Sequence, residues 1–442
     1  MTELAEFGAG FSGEVYRPGS PGYDAIRRPA RPAYPEATPR LVAVCHSVSD
    51  VVEVIRYATA TGDRVAPRGG GHCFAGRSST DGIVLDLSGL DGISVAGDGT
   101  ATAGAGVRLG QLYPALHAYR RTLPAGCGPT VGIAGLTLGG GIGLLGRAYG
   151  LTCDRLVGAQ VVLADGRVVD CDQHREPELF WGLRGAGGGQ FGVVTELRFD
   201  TVPEPITTRI EAHWTGVPLD DLVAAWQAWA PAAPDQLTVN LTLVSDPGAP
   251  VRASLFGAAI GPEAPARQLL AELTDLAGVP DTSQLRPGLP VPELKRSFAD
   301  DPTGTTDRPP RIRSECFAQP MTDRTIASLL AQLGEPRATG RRQLTFTALG
   351  GAYARVPEDA TAFAHREVRF LLEHIAEPGD RWVDRSWATA HTDGAGRVYP
   401  NFPDPALDDW ASAYHAGNYP RLVEVKRAYD PHRCFDFPQA IR

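Results

Sequence analysis

Positive charge is in deficit in this sequence: 42 Lys and Arg stand against 51 Asp and Glu, a formal net charge of −9 over 442 residues. Binding a phosphate backbone needs a basic surface, and no Lys/Arg-rich block occurs, so a nucleic-acid partner is excluded and a small molecule is expected. No apolar run approaches the length of a membrane span, so neither a transmembrane helix nor a membrane partner is expected. The opening MTELAEFGAGFSGEVY lacks the basic-then-apolar layout of a secretory signal. Prolines rather than a hydrophobic stretch follow Arg27-Arg28, which makes the cytoplasm the expected location. The seven cysteines (45, 73, 127, 153, 171, 316 and 434) form no CxxC pair and show no His/Cys metal spacing. They predict neither a disulfide framework nor a metal site. Internal repeats and low-complexity tracts are absent, and nothing specifies an oligomeric state.

What the sequence has in abundance is glycine, 51 residues of it. The length predicts two or three domains. Leu41–Val44 reads as a strand, followed by a helix from Ser49 to Thr61 with Ser49 as its cap and Val51, Val54, Ile55 and Ala58 as its apolar stripe. Short strands are expected at 63–67, 82–88 and 100–105, with a helix over 111–119. Between 156 and 169 two strands meet at Asp165-Gly166, a hairpin signal, and another strand covers 193–199. The pattern is α+β without a regular βαβ repeat. After about residue 207 glycine thins, and amphipathic strands such as 237–244 alternate with helices at 264–276, 322–333 and 360–370. The polar stretch Ala299 to Pro310 reads as a mobile surface loop. A last helix is expected over 418–429, in a segment that returns to the first domain.

Three glycine clusters lie beside strands in the first 200 residues. Consecutive glycines permit positive φ and bring backbone N–H groups close to an anion, so such turns can cradle a pyrophosphate. Gly141 to Gly146 and Gly187 to Gly192 match G-x-G-x-x-G, and Asp165 stands at a plausible distance for a ribose contact. That fingerprint must open a continuous helix. Here Gly150, Thr152 and Asp154 interrupt the following segment, so the Rossmann reading fails.

Four segments, in order, carry a resemblance: Pro67-Arg68-Gly69-Gly70-Gly71-His72; Pro129 to Gly143, continuing through Arg147 to Asp154; Gly188 to Thr195; and Tyr399-Pro-Asn401-Phe-Pro-Asp404. Together they resemble the berberine-bridge-enzyme-like family of FAD-linked oxidases. The resemblance implies an α+β chain with a two-part PCMH-type FAD-binding domain (1–204), a substrate domain with an antiparallel sheet covered by helices (205–395) and a C-terminal segment (396–442) returning to the FAD domain. It also implies covalent FAD, with His72 bonded to the 8α carbon of the flavin ring. An imidazole nitrogen is a competent nucleophile for that bond. The remaining implied flavin contacts are Arg68, Gly69, Gly70, Gly71, Cys73 and Gly76; Pro129, Thr130, Val131, Gly132, Gly135, Gly139, Gly140, Gly141 and Gly143; Gly150 and Asp154; Gly192 and Val194; and Tyr399 and Asn401.

Departures from the family pattern refine this expectation. Many members carry a second link, to C6 of the ring, from a cysteine directly before the Pro-x-Val-Gly segment. Here Gly128 holds that place, with Cys127 one residue earlier. A shift of one in an extended segment turns the side chain to the other side, so a single link through His72 is predicted, with Cys127 as the alternative second one. Cys73 replaces the small hydroxyl residue often found after the histidine and is read as packing in that loop. Val131 stands where a small valine is associated with oxygen access, which implies oxidase behaviour.

Oxidation needs a base for the substrate's O–H or N–H proton. Tyr399 is the candidate, if its pKa is lowered, with a purely structural tyrosine as the alternative. Glu373 is the candidate second catalytic group. If its segment is a strand, Arg369, Leu371 and Glu373 share a face and Phe370, Leu372 and His374 the other; a helix continuing from Ala360 would erase that grouping. Ile142 replaces a tyrosine that some members use. The expected activity is an oxidase passing electrons from an alcohol, amine or related C–H centre to molecular oxygen. A dehydrogenase or cyclase of secondary metabolism, or a flavin-binding protein without turnover, are the alternatives.

Overall fold

The computed structural model describes residues 7, 10–31, 36–299 and 309–442. Most of the stretch read as a mobile loop, residues 300–308, lies outside the described residues. The first sheet has the order β1 (Glu14–Tyr16), β2 (Leu41–Val44), β4 (Ile83–Asp86), β3 (Val65–Arg68). Strands β2, β4 and β3 run parallel, and the helix Val48–Thr61 connects β2 to β3, a single helical crossover rather than a regular repeat. The helix cap is Ser47 rather than Ser49. Its hydroxyl accepts from the Asp50 N–H, and the Asp50 carboxylate accepts from the Ser47 N–H, a reciprocal capping box.

The second sheet orders β5 (Ile93–Val95), β6 (Thr100–Gly104), β10 (Val193–Asp200), β8 (Leu156–Val162) and β9 (Val168–Cys171), all antiparallel. β8 and β9 form the hairpin across Asp165-Gly166, where Gly166 takes φ 81°. A small ribbon joins β7 (Arg121–Thr122) to β11 (Val202–Pro203). One apolar core serves both sheets, and it includes Leu422, Val425, Phe435 and Ile441 from the last 25 residues of the chain. Buried Lys426 fastens that segment by donating to the Gln190 and Phe435 carbonyls and to Asp430.

The third sheet has seven antiparallel strands: β12 (Thr207–Trp214), β13 (Leu237–Ser245), β14 (Arg252–Ile260), β15 (Thr282–Leu289), β16 (Arg311–Phe317), β17 (Arg342–Ala348) and β18 (Phe370–Ala376). Their order is β15-β12-β14-β13-β17-β18-β16. One face packs Leu241, Leu255, Phe346, Phe370 and Leu372 against Trp226, Leu273, Leu329 and Trp382 of four helices. The helix expected over 360–370 does not form: residues 356–369 are irregular and lead into β18. Its apolar residues instead serve different neighbours, Ala362 the core shared by the first two sheets and Phe363 a cluster around Tyr399.

Two buried arginines tie the halves together. Arg147 donates to the carbonyls of Leu237 (2.8 Å) and Pro231 (2.9 Å), and also to those of Ala233 and Leu349. Arg366 makes a two-pronged pair with Asp154 at 2.9 and 2.7 Å. Such planar, bidentate geometry fixes orientation as well as charge.

Candidate active site

A cavity of about 740 Å³ runs between the glycine turns and the seven-stranded sheet. This falls in the range of cofactor and substrate sites. The wall opposite the sheet is rich in glycine: Gly69 to Gly71 and Gly76; Gly126, Gly128, Gly132 and Gly135; and Gly187 to Gly189 and Gly192. At Gly70 a Cβ would stand 2.2 Å from the Gly132 nitrogen, so two turns touch through backbone alone. Gly187 and Gly189 take φ 93° and 72°, conformations that aim successive N–H groups inward at low cost only for glycine.

Other features point to a ligand. Gly135 lies within the helix Ile133–Leu138, where glycine costs roughly 1 kcal/mol relative to alanine, yet a Cβ there would meet nothing within 4 Å. The space it preserves opens on the cavity. Arg77 Nε, Ser78 Oγ and Ser79 Oγ are buried without hydrogen-bond partners, and all three residues line the cavity. Buried donors of this kind are normally satisfied, and an anionic, hydroxyl-rich group such as the pyrophosphate and sugar portion of FAD would satisfy them.

His72 lines the wall next to this loop, and its Nε2 is 2.9 Å from Thr130 Oγ1. Cys127, Val131, Ile142 and Val194 line it as well. Gly128 sits tightly, since a Cβ would come within 2.9 Å of Val131 Cγ2. Cys127 is within electrostatic reach of buried Lys295 and Tyr113. Lys295 Nζ donates to the Ala125 carbonyl at 2.5 Å; burial pulls its pKa down, while Cys127 pulls it up.

The opposite wall is made of side chains. Thr238 and Asn240 of β13, Phe256 of β14, Thr347 of β17, and Leu371 and Glu373 of β18 line it. Glu373 and Leu371 share the cavity face while Phe370 and Leu372 enter the helix-covered core, as strand alternation requires. Tyr399, Asn401, Phe402 and the tail residues Asp436 to Pro438 close the remaining side. Phe402 stacks on Phe74 with centroids 4.9 Å apart.

Tyr399 Oη receives N–H groups from Gly141 at 2.9 Å, Ile142 at 3.1 Å and Asn401 Nδ2 at 2.9 Å. Its pKa is not lowered as the base role expected: burial pushes it up to about 12, against the pull of those donors.

Several expected flavin contacts stand off the cavity wall. Arg68 is buried in an ion pair with Asp86 at 2.9 Å and donates to the carbonyls of Arg27 and Ile26. Pro129 and Thr130 are exposed; the Pro129 carbonyl accepts from Gly110, and Thr130 reaches the site only through His72. Gly139, Gly140 and Gly141 back Asn401, Phe363 and Thr152, respectively, where a Cβ would collide. Gly150 and Asp154 belong to the contact with Arg366 that joins the halves. Conversely, Arg77, Ser78, Ser79, Gly126 and the tail 436–438 line the cavity without carrying a motif in the sequence. Only the run of small polar residues after Gly76 gave a signal.

A glycine-built cradle beside a cavity of mixed apolar and polar lining fits a dinucleotide cofactor, and the relatives of this chain identify the class as FAD-linked oxidoreductase. Residues 39–172 match the family described as FAD binding domain, and residues 398–442 match berberine and berberine like. An uncharacterized FAD-linked oxidoreductase of Bacillus subtilis strain 168, YgaK, is 33% identical, with 92% of each chain covered. A chitooligosaccharide oxidase of Gibberella zeae is 30% identical, covering 91% of this chain and 87% of its own. The solved structure of Physcomitrella patens BBE-like 1 superposes with a TM-score of 0.88 at 26% identity, covering 99% of this chain and 98% of the other. The chain belongs to the berberine-bridge-enzyme-like family of FAD-linked oxidoreductases. Among the described residues no helix is long and apolar enough to cross a membrane.

Proposed function

We propose that this enzyme is an oxidase that removes a hydride and a proton from an alcohol, amine or related C–H centre of a small molecule and passes the electrons to molecular oxygen, giving hydrogen peroxide. The observation that carries this reading is that a phenol, Tyr399, and a carboxylate, Glu373, line the same cavity as the His72 loop. FAD supplies the two-electron acceptor. Tyr399 takes the substrate's O–H or N–H proton, and Glu373 orients the substrate or shares that proton. The glycine turns, with Arg77, Ser78 and Ser79, hold the cofactor's polar half.

His72 forms the single covalent link, and Cys127 stays unbonded; the collision a side chain at 128 would make with Val131 supports a flavin edge without a cysteine there. Val131 on the cavity wall supports oxygen access. The division into 1–204, 205–395 and 396–442 is supported by separate apolar cores on the flavin side and behind the seven-stranded sheet. The hydroxyl- and amide-bearing sheet wall favours polar substrates, and the oligosaccharide named for the Gibberella relative makes sugars the first class to test.

The test is a screen of sugars, alcohols, amines and phenols for peroxide release by the yellow holoenzyme. A substrate that bleaches the flavin while the reduced enzyme reoxidises only sluggishly in air contradicts the oxidase reading and leaves a dehydrogenase.

A further inference from the structure

Two buried tyrosine hydroxyls meet the glycine run 139–143, and they are bonded differently. Tyr353 Oη accepts from the Gly143 N–H at 3.2 Å and donates to the Gly143 carbonyl at 3.0 Å, so both of its functions are met. Tyr399 Oη faces three N–H donors and has no acceptor for its own hydrogen among the described residues. A neutral phenol oxygen offers two lone pairs and one donor. Three converging donors exceed what it accepts comfortably, and they suit a phenolate, whose hydrogen bonds are shorter and stronger.

The orientation of the third donor is fixed by chemistry. Asn401 Nδ2 also lies 2.8 Å from the Leu136 carbonyl, which only accepts, so this end of the amide is the NH2 group. One of its hydrogens goes to Leu136 and the other to Tyr399. Gly139 makes room for this amide: a Cβ there would lie 2.1 Å from Asn401 Oδ1. The titratable groups in electrostatic contact with Tyr399 are Tyr353 and Cys153, both held neutral by burial, and Glu373 lines the same cavity from the sheet side. Phe363 and Phe402 supply its other contacts, at 6.1 and 5.0 Å between centroids. No Lys or Arg bonds to its oxygen among the described residues.

We propose that the Gly141 and Ile142 backbone N–H groups and the Asn401 side-chain amide form an anion hole for the Tyr399 phenolate, with Asn401 as the positioning residue that stands in for a cationic partner. This rests on the reading of Tyr399 as the base. Burial opposes ionisation, and the hole offsets part of that cost where the proton from substrate must be taken. Two of the three donors are backbone, so Asn401 is the one that substitution can remove.

The experiment places a fluorinated tyrosine, whose phenol ionises well below that of tyrosine, at position 399 of the FAD-loaded protein and follows its 19F resonance against pH. The same amino acid at position 353 is the reference. The expected result is a lower midpoint at 399 than at 353. In Asn401→Leu the midpoint at 399 moves up by about one to two pH units, the size of one charge-assisted hydrogen bond. Asn401→Asp, which sets a carboxylate against the ring oxygen, moves it further. A midpoint at 399 equal to or above that at 353 in the otherwise native chain overturns the proposal, whether or not the Asn401 variants fold. So does a midpoint unmoved in Asn401→Leu. If the titration behaves as expected but Tyr399→Phe keeps full turnover, the hole stands and the base assignment fails.

Discussion

The two walls of the cavity are made of different material. On the side of the glycine turns much of the lining is main chain laid bare by glycine, interrupted by side chains such as His72, Arg77 and Ser78. On the sheet side the lining is side chains of β13, β14, β17 and β18, carried on strands whose other face is an ordinary apolar core. Where glycines of two turns touch, substitution is barely tolerated, since a Cβ at Gly70 or Gly132 would overlap the facing main chain. A wall of side chains exchanges freely, because each residue can change without moving its strand. On the proposed function, cofactor binding is fixed largely by backbone geometry, and substrate choice by side-chain composition.

The sharpest way to break this contrast is His72→Ala. Acid precipitation of the native holoenzyme should leave all flavin with the pellet, whereas the variant should release all of it; retention in the variant would mean that Cys127 is bonded as well. Next in size, Tyr399→Phe should lower kcat/KM by about 10² to 10⁴, the span of general-base catalysis, with flavin content unchanged. A smaller effect is expected on the backbone wall itself. Gly70→Ala puts a methyl 2.2 Å from the Gly132 nitrogen and should cost roughly 1–3 kcal/mol, seen as a lower Tm and incomplete flavin loading. Least of all, Thr347→Val on the sheet wall should raise KM several-fold, in keeping with about 1 kcal/mol for one hydrogen bond, while Tm and flavin content stay put. Were Thr347→Val to lose flavin, or Gly70→Ala to alter only KM, the division of labour between the walls would be wrong.

The same contrast explains what could be read in advance. The turns at 69–71 and 187–192 were visible because close approach and positive φ force glycine, and glycine in a cluster has few other causes. Arg147 to Asp154 was visible too, and there Arg147 and Asp154 reach across to Leu237 and Arg366 of the other half. Thr238, Asn240 and Thr347 were invisible as site residues, since a half-exposed strand carries polar residues whether water or a substrate lies over it. The segment 360–370 misled because Ala362, Phe363 and Phe370 fall at helical spacing while each packs into a different cluster. Ser47 and Ser49 are both acceptable caps, and only the reciprocal bond with Asp50 selects the first.

The position of Tyr399, Asn401, Phe402 and the 436–438 tail along the chain has a consequence for biogenesis. These residues complete the cavity and leave the ribosome after everything else that lines it. A nascent chain therefore cannot close the cavity around FAD until this late-made segment has docked on the sheets already folded.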